Sequence, residues 1–344
     1  MTLTSPIRIA VDAMGGDHAP REVVRGAVQA AREYRCGILL VGKPGAIEDE
    51  LAKCRAEQDL SGLDIEVVAA SEVIDMGESP GTAIRKKRDA SIIITAQCVK
   101  KGKAQGMVAA GSTGAAMAAA LLHIGRIDGV DRPAIAVVMP SVGNRCLLID
   151  AGANVDCIPE MLVQFARMGA VYMENVYKIP NPKVGLLNIG EESGKGNAFV
   201  NSAYKLLESD PTVNFSGNIE GRDIFFGTAA VAVCDGFTGN VALKSAEGVM
   251  RMFKAIMKKE MRKTILSKAA YLLAKPAFEA AGKEVDPEEF GGALLLGING
   301  LCVISHGSSK ARGIKNAIRV AKEAVENDVL GKTAQRIREG LTPV

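Results

Sequence analysis

The sequence predicts a doubly wound α/β fold, in which a mostly parallel sheet carries helices on both faces. Three observations lead there. Short runs rich in Val, Ile and Leu are apolar at consecutive positions, as strands buried on both faces require. These runs alternate with longer stretches of helical periodicity, the pattern of repeated strand–helix units. Many of the 37 glycines fall in short clusters between apolar runs, where the backbone needs positive φ or must approach a ligand closely.

The expected strands are Ile7–Ala13, Gly37–Gly42, Ile65–Ala70, Gly106–Ala110, Ile135–Pro140, Cys146–Asp150, Lys183–Ile189, Val213–Ile219, Val231–Asp235 and a run within Leu294–Ser305. The expected helices are Pro20–Tyr34, Gly45–Glu57, Thr82–Lys101, Gly114–Ile124, Pro159–Glu174, Asn197–Glu208, Gly239–Met261 and Ser309–Val325. No repeat or long linker interrupts the alternation. One compact catalytic unit over residues 1–344 is expected, with a helical hairpin excursion at 250–290.

The chain is 48% hydrophobic and 24% charged, the balance of a soluble globular protein. Its N-terminus has no charged segment followed by an apolar one. No stretch approaches 18 uninterrupted apolar residues, so neither a signal peptide nor a membrane span is expected. Seven cysteines, with no Cys-x-x-Cys pair, fit reduced thiols of a cytoplasmic protein. The three histidines lack metal-ligand spacing, so neither a metal nor a cofactor is expected.

In an open parallel sheet, ligands bind beyond the carboxyl ends of the strands. Five glycine turns are expected there, all at one crevice. The first contains Asp12, Gly15, Gly16 and Asp17; two adjacent glycines before a helix point N–H groups at an anion. The second, Gly111–Ala115, offers the hydroxyls of Ser112 and Thr113. The third runs from Asn188 through Gly194 and Lys195 to Asn197. It is no Walker loop, because only three residues separate Gly190 from Gly194 and Gly196 follows the lysine. Asp235 and Asn240 flank the fourth, and His306 opens the fifth. Each turn alone fits a helix cap as well as an anion cradle. The G-x-G-x-x-G fingerprint is absent, which argues against a dinucleotide-dependent dehydrogenase.

At these residues the chain resembles the PlsX family, the acyl-carrier-protein:phosphate acyltransferases of bacterial phospholipid synthesis. The matching stretches are VDAMGGDHAP (Val11–Pro20), AGSTGA around Gly111, DRPAIA (Asp131–Ala136), LIDAGANVDC (Leu148–Cys157), GLLNIGEESGKGN (Gly185–Asn197), GNIEGRDI (Gly217–Ile224), CDGFTGNVALKSAEG (Cys234–Gly248) and Ser305–Ser309. They run in order through nearly the whole chain. One departure is visible: Ala229-Ala230 stands where the family usually has an acidic residue before this strand.

The resemblance implies a three-layer α/β/α Rossmann-like sandwich, a homodimer, and transfer of a fatty acyl group from acyl carrier protein to inorganic phosphate. A phosphotransacetylase-like enzyme using coenzyme A and a non-catalytic membrane adaptor are the alternatives. In the expected site, Lys195 and N–H groups near Gly15, Gly16 and Gly194 hold phosphate, with Asp12, Asp17, Ser112 and Thr113 beside it. Asn188, Asn240 or His306 donates to the oxyanion. Asp235 orients Lys195 or His306, or accepts a phosphate proton. A covalent route through Cys234 is the rival.

Net charge is +3, yet Arg251–Lys275 alone carries +7, leaving −4 elsewhere. One basic segment points to a local anionic partner rather than to nucleic acid. Arg251, Lys254, Lys258 and Arg262 fall on one side of a helical wheel, and Met250, Phe253, Ile256, Met257, Met261 and Ile265 on the other. Pro276 is expected to kink or end the helix that follows. Contact with an anionic membrane surface, inserting Leu272, Leu273 or Phe278, or with acyl carrier protein is expected here. The enzyme would then be peripheral at the inner face of the plasma membrane.

Overall fold

The computed structural model describes residues 6–143 and 145–340. Among the described residues, eleven strands form one sheet: β1 (Arg8–Asp12), β2 (Gly37–Gly42), β3 (Ile65–Ala69), β4 (Gly106–Ala109), β5 (Ala134–Met139), β6 (Cys146–Ile149), β7 (Val184–Leu187), β8 (Phe215–Ile219), β9 (Val231–Val233), β10 (Ala293–Leu296) and β11 (Leu301–Ile304). Their spatial order is β3-β2-β1-β4-β11-β10-β5-β6-β9-β7-β8.

The helices are α1 (Arg21–Tyr34), α2 (Pro44–Glu57), α3 (Pro80–Lys86), α4 (Ser91–Lys100), α5 (Thr113–Ala119), α6 (Pro159–Asn175), α7 (Ala198–Glu208), α8 (Gly236–Glu260), α9 (Ile265–Glu284), α10 (Pro287–Phe290), α11 (Ala311–Glu326) and α12 (Val329–Glu339).

Alternate residues of each strand feed opposite cores, which is why the strands are apolar throughout. Ile9, Val11, Ile38 and Leu40 face one layer, built from α1, α2, α6, α7, α11 and α12. Ala10, Leu39, Met107 and Ala109 face the other, with α3, α4, α5 and the start of α8.

Strand direction departs from a uniform parallel sheet. β5 pairs antiparallel with both β6 and β10, and β10 pairs antiparallel with β11. All other pairings are parallel. Strands β1–β5 and β11 therefore point one way and β6–β10 the other; β3-β2-β1-β4-β11 and β6-β9-β7-β8 are parallel blocks of opposite sense, joined through the antiparallel β10 and β5. The expected single run within Leu294–Ser305 is the antiparallel pair β10–β11. The expected helix Thr82–Lys101 is broken into α3 and α4. There the Asp89 carboxylate accepts hydrogen bonds from Ser71 N–H and Oγ, pinning the chain to the segment after β3.

The excursion is a helical hairpin, but its details differ from expectation. α8 ends at Glu260 and the chain turns at 261–264, so Ile265 starts the second helix rather than extending the first. α9 passes through Pro276 without ending.

Beneath the sheet edge, Arg167 Nε bonds the Asp210 carboxylate at 2.7 Å, with both side chains nearly buried. Burial raises the Asp210 carboxyl, but Arg167 and Thr212 outweigh it and hold its pKa below the ordinary value. A depressed carboxyl contributes stability that is present above its unfolded pKa, about 3.9, and lost as pH falls through the folded value. Arg167→Met is expected to cost about 3 kcal/mol at neutral pH by leaving a buried carboxylate unpaired. In urea titrations the gap between wild type and variant should narrow below about pH 4. A pH-independent gap would show that the charge pair is not its source.

Candidate functional site

The five glycine turns do not meet in one crevice. Because the two strand blocks run oppositely, their carboxyl ends leave at opposite edges of the sheet.

At one edge the ends of β1, β4 and β11 gather the first, second and fifth turns. Gly16 has φ +97°, and a Cβ there would run into the carbonyl oxygen of Ala110. Asp17 N–H donates to Gly307 O at 2.8 Å, tying the first turn to the fifth. Asp12 is buried, and its carboxylate accepts from the N–H groups of Met14 and Gly15. Burial pushes that carboxyl up, while these bonds and one from Ser91 pull it back. Asp12 thus holds the turn, and the Met14, Gly15 and Asp17 N–H groups are spent within the protein rather than on an anion. Ser112 caps α5, accepting from Ala115 N–H at 3.3 Å; Thr113 follows it, exposed. His306 Nδ1 bonds the Ser308 hydroxyl at 2.8 Å.

At the opposite edge the ends of β7 and β9 carry the third and fourth turns. The Asn188 side chain closes the lysine loop: Nδ2 donates to Lys195 O at 3.0 Å, and Oδ1 accepts from Ile189 N–H at 2.8 Å. Gly196, at φ +90°, lies where a Cβ would sit 2.6 Å from Asn188 Oδ1. A Cβ at Gly194 would meet nothing within 4 Å. The Lys195 stem crosses Gly190. Among the described residues its ammonium has no ion-pair or hydrogen-bond partner. An unpaired cation on a glycine loop is suited to a phosphate.

Asp235 caps α8. Its oxygens accept from Thr238 N–H at 2.9 Å and Thr238 Oγ1 at 2.7 Å. It therefore does not reach His306, which leaves from the other edge, and its oxygens are engaged by the cap rather than by Lys195. Asn240 is exposed beside Gly152. Cys234 is buried, and burial with Asp235 and Asp150 nearby pushes its thiol well above the ordinary value. A thiol so placed is a poor nucleophile.

The residue that organises this edge is Asp150, which sequence reasoning placed only within a matching stretch. It is fully buried. Oδ1 accepts from Ile135, Gly152 and Ala153 N–H at 2.9–3.1 Å; Oδ2 accepts from Asn154 N–H and Nδ2 at 2.7 and 2.8 Å. Burial raises its carboxyl, opposed by these donors. Asn154 O in turn accepts from Gly236 N–H at 2.7 Å, seating the first turn of α8.

A cleft of about 460 Å³ opens between the ends of β7 and β9. The helix after β7 packs on one face of the sheet and the helix after β9 on the other. Adjacent strands whose helices diverge in this way make a switch point, where open α/β sheets bind ligands.

The Fatty acid synthesis protein family model matches residues 7–332. The "Phosphate acyltransferase" of Heliobacterium modesticaldum is 53% identical over 98% of this chain and 100% of its own length. The chain belongs to the phosphate acyltransferase (PlsX) family. A second family member, from Pelotomaculum thermopropionicum, is 51% identical, covering 94% of this chain and 93% of its own. Among solved structures, a phosphotransacetylase from Streptococcus pyogenes superposes with TM-score 0.64 at 18% identity, covering 98% of this chain and 95% of its own. A 4-hydroxythreonine-4-phosphate dehydrogenase from Klebsiella pneumoniae gives TM-score 0.55 at 13% identity, covering 92% and 99%. At such identities the likeness shows the fold alone. Its described residues include no helix long and apolar enough to cross a membrane.

Proposed function

We propose that the enzyme transfers a fatty acyl group from the thioester of acyl carrier protein to inorganic phosphate, making acyl phosphate for phospholipid synthesis. The observation that carries this reading is the unpaired Lys195 ammonium on a glycine loop beside a cleft at a switch point. Lys195 and the open Gly194 backbone hold hydrogen phosphate. A phosphate oxygen attacks the thioester carbonyl, the C–S bond breaks, and the phosphate's proton ends on the released thiol. Donor and product are both activated acyl compounds, so no nucleotide is consumed. Orientation supplies much of the rate, up to about 7–11 kcal/mol in ideal cases. The exposed Asn240 amide donates to the oxyanion, whereas Asn188 serves the reaction by bracing the Lys195 loop. The buried thiol of Cys234 favours direct attack over a covalent enzyme intermediate.

Phosphate-dependent release of acyl phosphate, assayed separately with acyl carrier protein and coenzyme A thioesters, tests the reading. A rate confined to the coenzyme A donor would reject the carrier protein.

The α8–α9 hairpin is proposed to serve a second copy and a membrane or carrier surface. α9 buries none of its residues, and α8 buries only Gly236 and Gly239. Val249, Met252, Phe253 and Ile256 form an exposed apolar stripe for a homodimer contact. Arg251, Lys254, Lys258 and Arg262 supply attraction of roughly 1 kcal/mol each near an anionic surface. Leu272, Leu273 and Phe278 lie along α9, while Ile265 and Leu266 stand at the tip, 88% and 81% exposed. In sedimentation with anionic vesicles, Ile265→Glu with Leu266→Glu is expected to release the protein, and Leu272→Glu with Leu273→Glu to weaken it less. Unchanged binding of both would reject insertion by the hairpin.

A further inference from the structure

We propose that the cleft between the first turns of α6 and α7, above the ends of β7 and β9, holds the fatty acyl chain of the donor. This assignment rests on the acyltransferase reading and adds a location and a specificity determinant to it.

The walls and the ends of the cleft differ in chemistry. Leu162 comes from the first turn of α6, Leu186 and Leu187 from the end of β7, and Phe199 and Val200 from the first turn of α7. Polar lining groups are Asn188 and Asn197 from the loop after β7, with the α8 cap Asp235 and Thr238 in the first turn of α8. Their hydrogen bonds run mostly to the protein itself. Asn188 closes the lysine loop, Asn197 caps α7 through Val200 N–H at 2.9 Å, and Asp235 caps α8. Asp235 is the one ionisable carboxylate in the lining, and Thr238 already occupies both its oxygens. Apart from Asn197 Nδ2, which has no partner among the described residues, the cleft therefore offers a ligand shape and apolar surface rather than free side-chain donors. A sugar or nucleotide would leave its polar groups unpaired there, at a cost that an aliphatic chain avoids.

Ile189 strengthens the assignment. It lines the same cleft yet is 80% exposed, directly beside Asn188. An isoleucine so exposed at the mouth of an apolar cleft gains cover when a chain lies across it. Lys195 stands on the loop that Asn188 closes at this end of the cleft, with its stem over Gly190. A thioester at the mouth would thus face the phosphate, with its tail running between α6 and α7.

The test compares kcat/KM for hexadecanoyl and octanoyl donors on one carrier. Val200→Trp fills the cleft from α7 and is expected to lower the hexadecanoyl-to-octanoyl ratio by about tenfold or more. Ile189→Ser, at an exposed position where substitution is expected to leave the fold intact, should lower the same ratio by about threefold. KM for phosphate should stay within about twofold in both. Equal loss for both chain lengths, or an unchanged ratio in both variants, overturns the groove. If wild type makes no acyl phosphate from either donor, the functional reading fails instead. The groove is then decided by binding of a fluorescent hexadecanoyl-length fatty acid. Binding that Val200→Trp and Ile189→Ser weaken upholds it, and absence of binding overturns it.

Discussion

Lys195→Ala is expected to lower kcat/KM for acyl phosphate formation by about 10²–10³-fold, the usual range for removing one preorganised electrostatic contact from a reacting centre. The side chain is exposed and, among the described residues, bonded to nothing. Its removal should therefore leave the fold intact, with an unfolding midpoint within about 0.5 kcal/mol of wild type. The loop itself is held by its backbone, since Asn188 bonds the carbonyl of residue 195 rather than its ammonium. The loss should appear in KM for phosphate as well as in kcat, because the ammonium offsets phosphate charge before and during attack. Lys195→Arg keeps the charge but replaces a compact ammonium with a planar fork, and partial recovery is expected. Full activity with normal phosphate affinity in Lys195→Ala would remove this residue from the mechanism.

Asp150→Ala should destabilise the protein by about 4 kcal/mol, near the upper end for single substitutions. The carboxylate, itself fully buried, is the common acceptor for four backbone N–H groups and the Asn154 amide in a half-buried turn. Deleting it orphans the four backbone donors at once, while Asn154 Nδ2 keeps Pro133 O, and each buried unsatisfied donor costs roughly 1–3 kcal/mol before relaxation. Asp150→Asn preserves the volume but turns an NH2 towards N–H donors, so it should be nearly as damaging. The shift should appear as a lower urea midpoint with an unchanged slope. Loss of less than about 1 kcal/mol in Asp150→Asn would show that the charged acceptor is not what holds the turn. Activity should fall in either variant, because Asn154 passes the order of this turn to Gly236 and thus to the cap of α8.

Element positions were largely legible from periodicity. The strands from Gly37, Gly106 and Cys146 begin where the apolar runs begin, because burial on both faces leaves an unbroken Val/Ile/Leu signature. α12 was not expected. It packs on α6, and its buried Val329, Thr333 and Ile337 recur at helical spacing, yet one of the three is polar and the apolar residues on that face are few. α9 also continues past Pro276, where a kink or an end of the helix is expected. Proline disfavours a helix locally, yet the helix persists across it.

For the site, the glycine and polar clusters marked the right kind of residue but not their grouping. Gly196, Asn154 and Asp150 matter because of what their neighbours in space accept or exclude, which spacing along the chain does not reveal. The grouping depends on strand direction, and the cause lies in two short connections. Six residues join β5 to β6 and four join β10 to β11, too few for the crossover that parallel strands need. Each forces a reversal. Apolar runs and their order followed from the residues alone, since burial on both faces leaves its mark on composition whichever way a strand points. Which strand ends share an edge was decided by the assembled sheet, because hydrogen bonding between strands distant in sequence sets their order. The two reversals, placed either side of β7 and β9, put Lys195 and Asp235 at one edge and Gly16, Ser112 and His306 at the other.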